Sequence, residues 1–161
     1  MKIVSLVRHA KSDWTTGVPD IQRPLNDRGL RNAPLMGRRL VKRAVAPDLM
    51  ITSPATRAHT TASLIAAELS YSQDELEIVD DLYGADTVTF LEILSGISDD
   101  VGHVMLFSHN PEIANFVNRT ANAAIENIPT CGVVEIEFPI DSWSEIGGSR
   151  GTVVIFDYPK K

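Results

Sequence analysis

Cysteine is nearly absent: Cys131 stands alone among 161 residues. A single thiol excludes an intrachain disulfide and any multi-cysteine metal site. Long apolar runs are also missing. The first, Ile3 to Val7, stops at once on Arg8-His9, too short for the core of a signal peptide and far below a membrane span. The expected compartment is therefore the cytoplasm. Basic residues are outnumbered, with 15 Lys and Arg against 21 Asp and Glu and a net charge of −6. That balance argues against bulk nucleic-acid binding, which needs a basic face to release counterions, and against a basic membrane-surface patch. An anionic ligand must then be held by a local cluster of positive groups. No repeat, low-complexity run or linker interrupts the chain, so one domain is expected over residues 1–161.

What is present alternates. Ile3 to Val7 is short, apolar and β-branched, which suits a buried parallel strand. Gly17, Pro19 and Pro24 punctuate a polar stretch that reads as a long ordered loop. Asn26 reads as an N-cap to a helix reaching about Ala44, with Leu30, Ala33, Met36 and Leu40 on its apolar face. Pro34 should kink that helix or mark a later start. A second strand is predicted at Leu49 to Thr52. Ser53-Pro54 then reads as a cap with proline in the first helical position, opening a helix to about Leu69. Leu76 to Val79, His103 to Phe107, Val133 to Phe138 and Thr152 to Asp157 are further strand candidates. Helices are expected at about Thr87 to Ile97 and from Ser108-His109-Asn110-Pro111 to about Ala121. The pattern predicts an α/β fold of three layers, α/β/α, with a mostly parallel sheet and an antiparallel edge strand.

Three polar clusters directly follow predicted strands: Arg8-His9, Ser53 to Arg57, and Ser108-His109. In open α/β sheets ligands bind beyond the carboxyl ends of the strands. Two Arg and two His should therefore meet at one rim. Two of the clusters also open helices, where free N–H groups favour an anion. The pattern is that of a phosphate pocket.

Leu6-Val7-Arg8-His9-Ala10-Lys11-Ser12 resembles the Arg-His-Gly/Ala signature of the histidine-phosphatase (phosphoglycerate mutase-like) superfamily. The runs Arg8 to Trp14, Arg23 to Gly29 and Ser53 to Ala58 resemble its short branch, the SixA-type phosphohistidine phosphatases, and Ser108-His109-Asn110 fits the second-histidine motif. The resemblance implies that His9 attacks phosphorus and carries the phosphoryl group until water removes it, splitting one displacement into two. It implies that Arg8 and Arg57 clamp the phosphoryl oxygens with guanidinium forks and that His109, if protonated, adds a further donor. It implies no metal and no cofactor. His9 must be neutral at its attacking nitrogen, which a bond from the other ring nitrogen to a backbone carbonyl, expected in the turn after Ala10, would secure. Many relatives carry an acid just before a Tyr-Gly or Phe-Gly pair. Here Asp80 and Asp81 precede Leu82-Tyr83-Gly84 and are the candidates for it. An imidazole leaving group needs less protonation than an alkoxide, so a missing acid would fit a phosphoramidate.

The remaining polar residues carry less. Lys11 and Ser12 either reach the phosphate from the loop or line its mouth. Trp14 is a rim contact or a loop anchor. Arg23 and Arg28 are expected in salt bridges, His59 as a surface or supporting residue, and His103 as structural. Four His without close spacing give no metal signal. The expected partner is a phosphorylated protein resembling a phosphotransfer domain, or a small phosphorylated metabolite. A silent phosphate-binding module is the third reading.

Overall fold

The computed structural model describes residues 1–161. Its strands are β1 (Lys2–Arg8), β2 (Leu49–Thr52), β3 (Glu77–Ile78), β4 (His103–Ser108), β5 (Val133–Phe138) and β6 (Thr152–Asp157). Its helices are α1 (Asp27–Lys42), α2 (Thr56–Glu68), α3 (Thr87–Ser95) and α4 (Glu112–Thr120). The strands form one sheet in the order β3-β2-β4-β1-β5-β6. The first four are mutually parallel; β5 runs antiparallel to β1, and β6 antiparallel to β5.

Alternation along the strands divides the core into two layers. Val4 and Leu6 of β1 face Phe90 and Leu94 of α3, Phe116 and Val117 of α4, and Trp143. Val7, with Met105 and Phe107 of β4, faces Ala33, Met36 and Leu40 of α1 and Ile65 of α2. A large apolar side chain buried in this way contributes about 1.5–3 kcal/mol. Three layers, α/β/α, follow from covering both faces of a largely parallel sheet. No helix is long and apolar enough to cross a membrane.

Local rules explain most of the elements, with four departures. Asn26 caps α1, its side chain accepting from the Gly29 N–H at 2.9 Å. Gly29 is required there because a Cβ would collide with the Lys11 carbonyl. The helix runs through Pro34 as one span; packing of Ala33, Met36 and Leu40 on either side outweighs the one lost backbone bond. Leu30, expected on the buried face, is exposed, and Gly29 and Gly37 take part in that face instead. Ser53 does not cap α2, which begins at Thr56 after Ala55. Its hydroxyl accepts from the Ala55 N–H, short of the first helical turn, and also lies 2.8 Å from His109 Nε2. Finally, the antiparallel edge is two strands wide, because β5 inserts beside β1 and leaves β6 outermost.

Candidate active site

The carboxyl ends of β1, β2 and β4 lie side by side, and backbone bonds lock their register where the polar clusters emerge. The His9 N–H donates to the Ser108 carbonyl (3.1 Å), the Ser53 N–H to Phe107 (3.0 Å), and the Arg8 N–H to Gly132 (3.0 Å). Arg57 arrives from the first turn of α2. A pocket of about 210 Å³ results, lined by Arg8, His9, Lys11, Ser12, Trp14, Arg23, Arg57, His109, Asn110 and Thr130. Its wall holds four cationic side chains and no carboxylate, in a chain of net charge −6. The local cluster required by the charge balance is therefore present.

His9 is buried, and its Nδ1 lies 2.8 Å from the Ala10 carbonyl. A carbonyl can only accept, so Nδ1 carries the proton and Nε2 keeps its lone pair. Burial pulls the His9 pKa down to about 3, and the nearby His109, Arg57 and Arg8 act in the same direction. The ring is neutral at physiological pH. His109 lies beside it, ring centroids 5.3 Å apart. Its Nε2 is 2.8 Å from the Ser53 hydroxyl, and its buried Nδ1 has no protein partner. Burial, with Arg57 next, brings His109 to about 4. The imidazole is thus neutral near pH 7, so the condition attached to the resemblance, that His109 be protonated, is not met by the protein groups alone.

The arginines are held from behind. Arg8 donates from Nη1 to the Ile128 carbonyl (2.8 Å). Arg57 donates to the Asp20 carbonyl (2.7 Å) and to the Asp20 carboxylate (3.1 Å). Asp20 also accepts from the Tyr83 hydroxyl and from Arg23. The Tyr83 bond first, then Arg57, lowers its carboxyl to about 2. An ionised group so held can position cations but has no proton to give.

Sequence reasoning missed the Asp20–Tyr83 support and placed Arg23 only in salt bridges. Arg23 does bridge Asp20 at 3.2 Å, but it is also buried in the pocket wall and donates to the Ser12 hydroxyl. Lys11 and Ser12 line the pocket as well. Asp80 and Asp81 do not: both are exposed in the short 3-10 helix Asp80–Leu82, which buries Leu82, while Tyr83 meets the edge of His109. His59 is half-buried on α2 outside the pocket wall. No three His, Cys, Asp or Glu side chains converge as a metal-ligand set.

Comparison with known proteins agrees with this geometry. Residues 4–87, just over half of the chain, match the family model of the histidine phosphatase superfamily (branch 1). An uncharacterised protein of Mycobacterium leprae is 30% identical over 169 residues, covering 96% of this chain and 100% of that protein. Among solved structures, a protein assigned as the phosphohistidine phosphatase SixA of Agrobacterium tumefaciens superposes with a TM-score of 0.83 at 25% identity, over 98% of both chains. The protein histidine phosphatase SixA complexed with tungstate shares the fold, with a TM-score of 0.84 at 20% identity over 98% of this chain and 97% of that one. The matched segment carries Arg8, His9 and Arg57 into the pocket just described. Family and fold together identify a phosphatase of SixA-like architecture: the chain belongs to the histidine phosphatase superfamily.

Proposed function

We propose that the protein removes phosphoryl groups from phosphohistidine on a partner protein, through a covalent intermediate on His9 and without a metal. The observation that carries this reading is His9 itself: its proton is fixed on Nδ1 by the Ala10 carbonyl, and its free nitrogen lies in a pocket of cations. Nε2 attacks phosphorus in line. The bond from phosphorus to the substrate imidazole breaks, its electron pair goes to the departing nitrogen, and that nitrogen takes a proton from water. Water then attacks the phosphohistidine, releasing inorganic phosphate and neutral His9.

Arg8 and Arg57, with Arg23 as a third guanidinium, stabilise charge on the phosphoryl oxygens as it redistributes. Each preorganised donor of this kind is worth about 3–4 kcal/mol when removed. His109 supplies an N–H, and an arriving phosphoryl dianion raises its proton affinity by adding negative charge beside it. The pocket wall offers no carboxylic acid, and Asp20 is held ionised at about 2. A leaving group that needs little protonation, such as imidazole, fits this wall better than an alkoxide. Asp80 and Asp81 would have to move to serve as the acid, since both lie outside the wall.

The test is phosphate release from a phosphohistidine-bearing protein and from p-nitrophenyl phosphate, with wild type beside His9→Ala and with EDTA present throughout. Fast release from phosphohistidine by wild type and none by the variant is expected. Release from a panel of small phosphorylated metabolites far above that from phosphohistidine would reassign the substrate class. Activity in His9→Ala would remove the covalent step, and loss with EDTA would restore a metal.

A further inference from the structure

We propose that Trp14 is a specificity-determining platform at the pocket mouth, against which a flat aromatic leaving group packs while its phosphoryl group lies at His9. The inference rests on the reading above for the phosphoryl end of the substrate and adds what holds the other end.

Trp14 lines the same pocket as Arg8, His9, Arg23 and Arg57. It is 74% exposed, more than any other large apolar side chain in the protein. An exposed indole on a mobile loop would mean little, because isolated apolar residues on surfaces are common. This one is held in place. The Arg23 guanidinium lies 3.6 Å from the ring centroid, within cation–π range. Arg23 is in turn buried and fixed by the Ser12 hydroxyl and the Asp20 carboxylate. The backbone on either side is pinned too: Ser12 bridges Leu25, the Asp13 N–H donates to the Pro24 carbonyl at 2.8 Å, and the Thr15 N–H and hydroxyl both donate to the Asp13 carboxylate.

With Arg23 stacked on the ring and the residue still 74% exposed, the indole keeps accessible surface at the pocket mouth. A rigid ring at the mouth of a cationic pocket matches a ligand with a charged end and a flat end. An imidazole or phenyl ring attached to the phosphoryl group can rest on the indole; an aliphatic chain gains much less there. Aromatic pairs of this kind favour binding by roughly two- to tenfold beyond simple burial.

The test compares phenylphosphonate with methylphosphonate, two non-hydrolysable ligands that share the charged end, by calorimetric titration so that turnover is not needed. Wild type should bind the phenyl compound about two- to tenfold more tightly. Trp14→Leu, which keeps apolar bulk but no plane, should bring that ratio to about one, and Trp14→Phe should retain most of it. A ratio unchanged in Trp14→Leu overturns the proposal. So does equal weakening of both ligands, which would mean that Trp14 acts only by seating Arg23. The parallel measurement is kcat/KM on phosphoimidazole, p-nitrophenyl phosphate and acetyl phosphate. Trp14→Leu should lose several-fold on the two ring substrates relative to the acyl phosphate, and a larger loss on phosphoimidazole would identify the ring as imidazole. Ring-selective phosphonate binding without any turnover would uphold the platform and overturn the phosphatase reading; turnover with no ring selectivity would do the reverse.

Discussion

Two clusters of buried polar side chains occupy the central strands, and they are completed differently. Midway along β1, Ser5 joins His103 of β4 and Glu135 of β5: the Ser5 hydroxyl is 2.7 Å from His103 Nε2 and 3.2 Å from the Glu135 carboxylate. No buried side-chain atom of that trio lacks a partner. At the carboxyl ends the situation is reversed. The Nε atoms of Arg8, Arg23 and Arg57, Nδ1 of His109, Oδ1 of Asn110 and Oε2 of Glu112 are buried without a protein partner, and they are the only such side-chain atoms in the molecule. All but Glu112 belong to pocket-lining residues. Each unpaired buried group costs about 1–3 kcal/mol. Folding tolerates that cost at one end of the strands and avoids it in the middle. The difference separates a site that a ligand completes from a polar cluster that the fold itself completes.

Substitutions should break this contrast in a graded way. The largest effect is expected from His9→Ala, with turnover falling by about 10⁴-fold or more, as for other nucleophile deletions. Vanadate should still bind between the arginines. Arg57→Lys comes next. It keeps the charge but loses the fork and the paired bonds to Asp20, and should lower kcat by roughly 10²–10³-fold in steady-state assays on phosphohistidine. Asp20→Asn should do less. It leaves both guanidiniums in place but loosens their support, so kcat should fall about three- to tenfold. Vanadate inhibition should not weaken, because a negative charge has also left the pocket's surroundings. A loss confined to KM would show that Asp20 does not position Arg57.

Much of the rim was legible because its motifs are contiguous. Arg8-His9, Ser53 to Arg57 and Ser108-His109 each follow a short apolar strand, and sheet physics alone places strand ends together. Asp20 could not be read this way. Its partners Arg57 and Tyr83 lie 37 and 63 residues away, and nothing local distinguishes it from other acids in a polar loop. The same blindness affected Ser53. A Ser-Pro pair ahead of a helix has the signature of a cap, but α2 starts only at Thr56, so the hydroxyl accepts from the Ala55 N–H before the helix and meets the long-range partner His109 as well. Leu30 shows a subtler limit. Helical periodicity puts it near the buried stripe, whereas close approach of α1 to the Lys11 backbone and to α2 buries Gly29 and Gly37. The insertion of β5 beside β1 is topological, and no strand pattern in the sequence encodes neighbour order.

The smallest perturbation of the site, and the sharpest test of the contrast, is His103→Gln. Burial lowers the His103 pKa to about 4, against an ordinary value near 6.5 in the unfolded chain. Above pH 6.5 neither state carries the proton. Between 6.5 and about 4 the unfolded chain takes it and the folded protein does not, so stability is full above that window and drains away as pH falls through it. The loss from this one residue is at most about 3 kcal/mol. Glu135 opposes it: burial raises its pKa, so the folded protein gains on acidification where the unfolded carboxylate stays charged. His9 and His109, at about 3 and 4, contribute with the same sign as His103, but only while the pocket is unliganded, because a bound oxyanion favours their charged forms. Urea unfolding should therefore show stability falling from pH 7 to pH 4 on one slope, to which the strand and pocket histidines contribute over the same window. Tungstate should flatten the part from the pocket histidines. His103→Gln should remove the His103 part, leave the opposing Glu135 part, and leave turnover at neutral pH unchanged. If tungstate alone abolished the whole slope, the strand cluster would not be the self-completed structure that its hydrogen bonds describe.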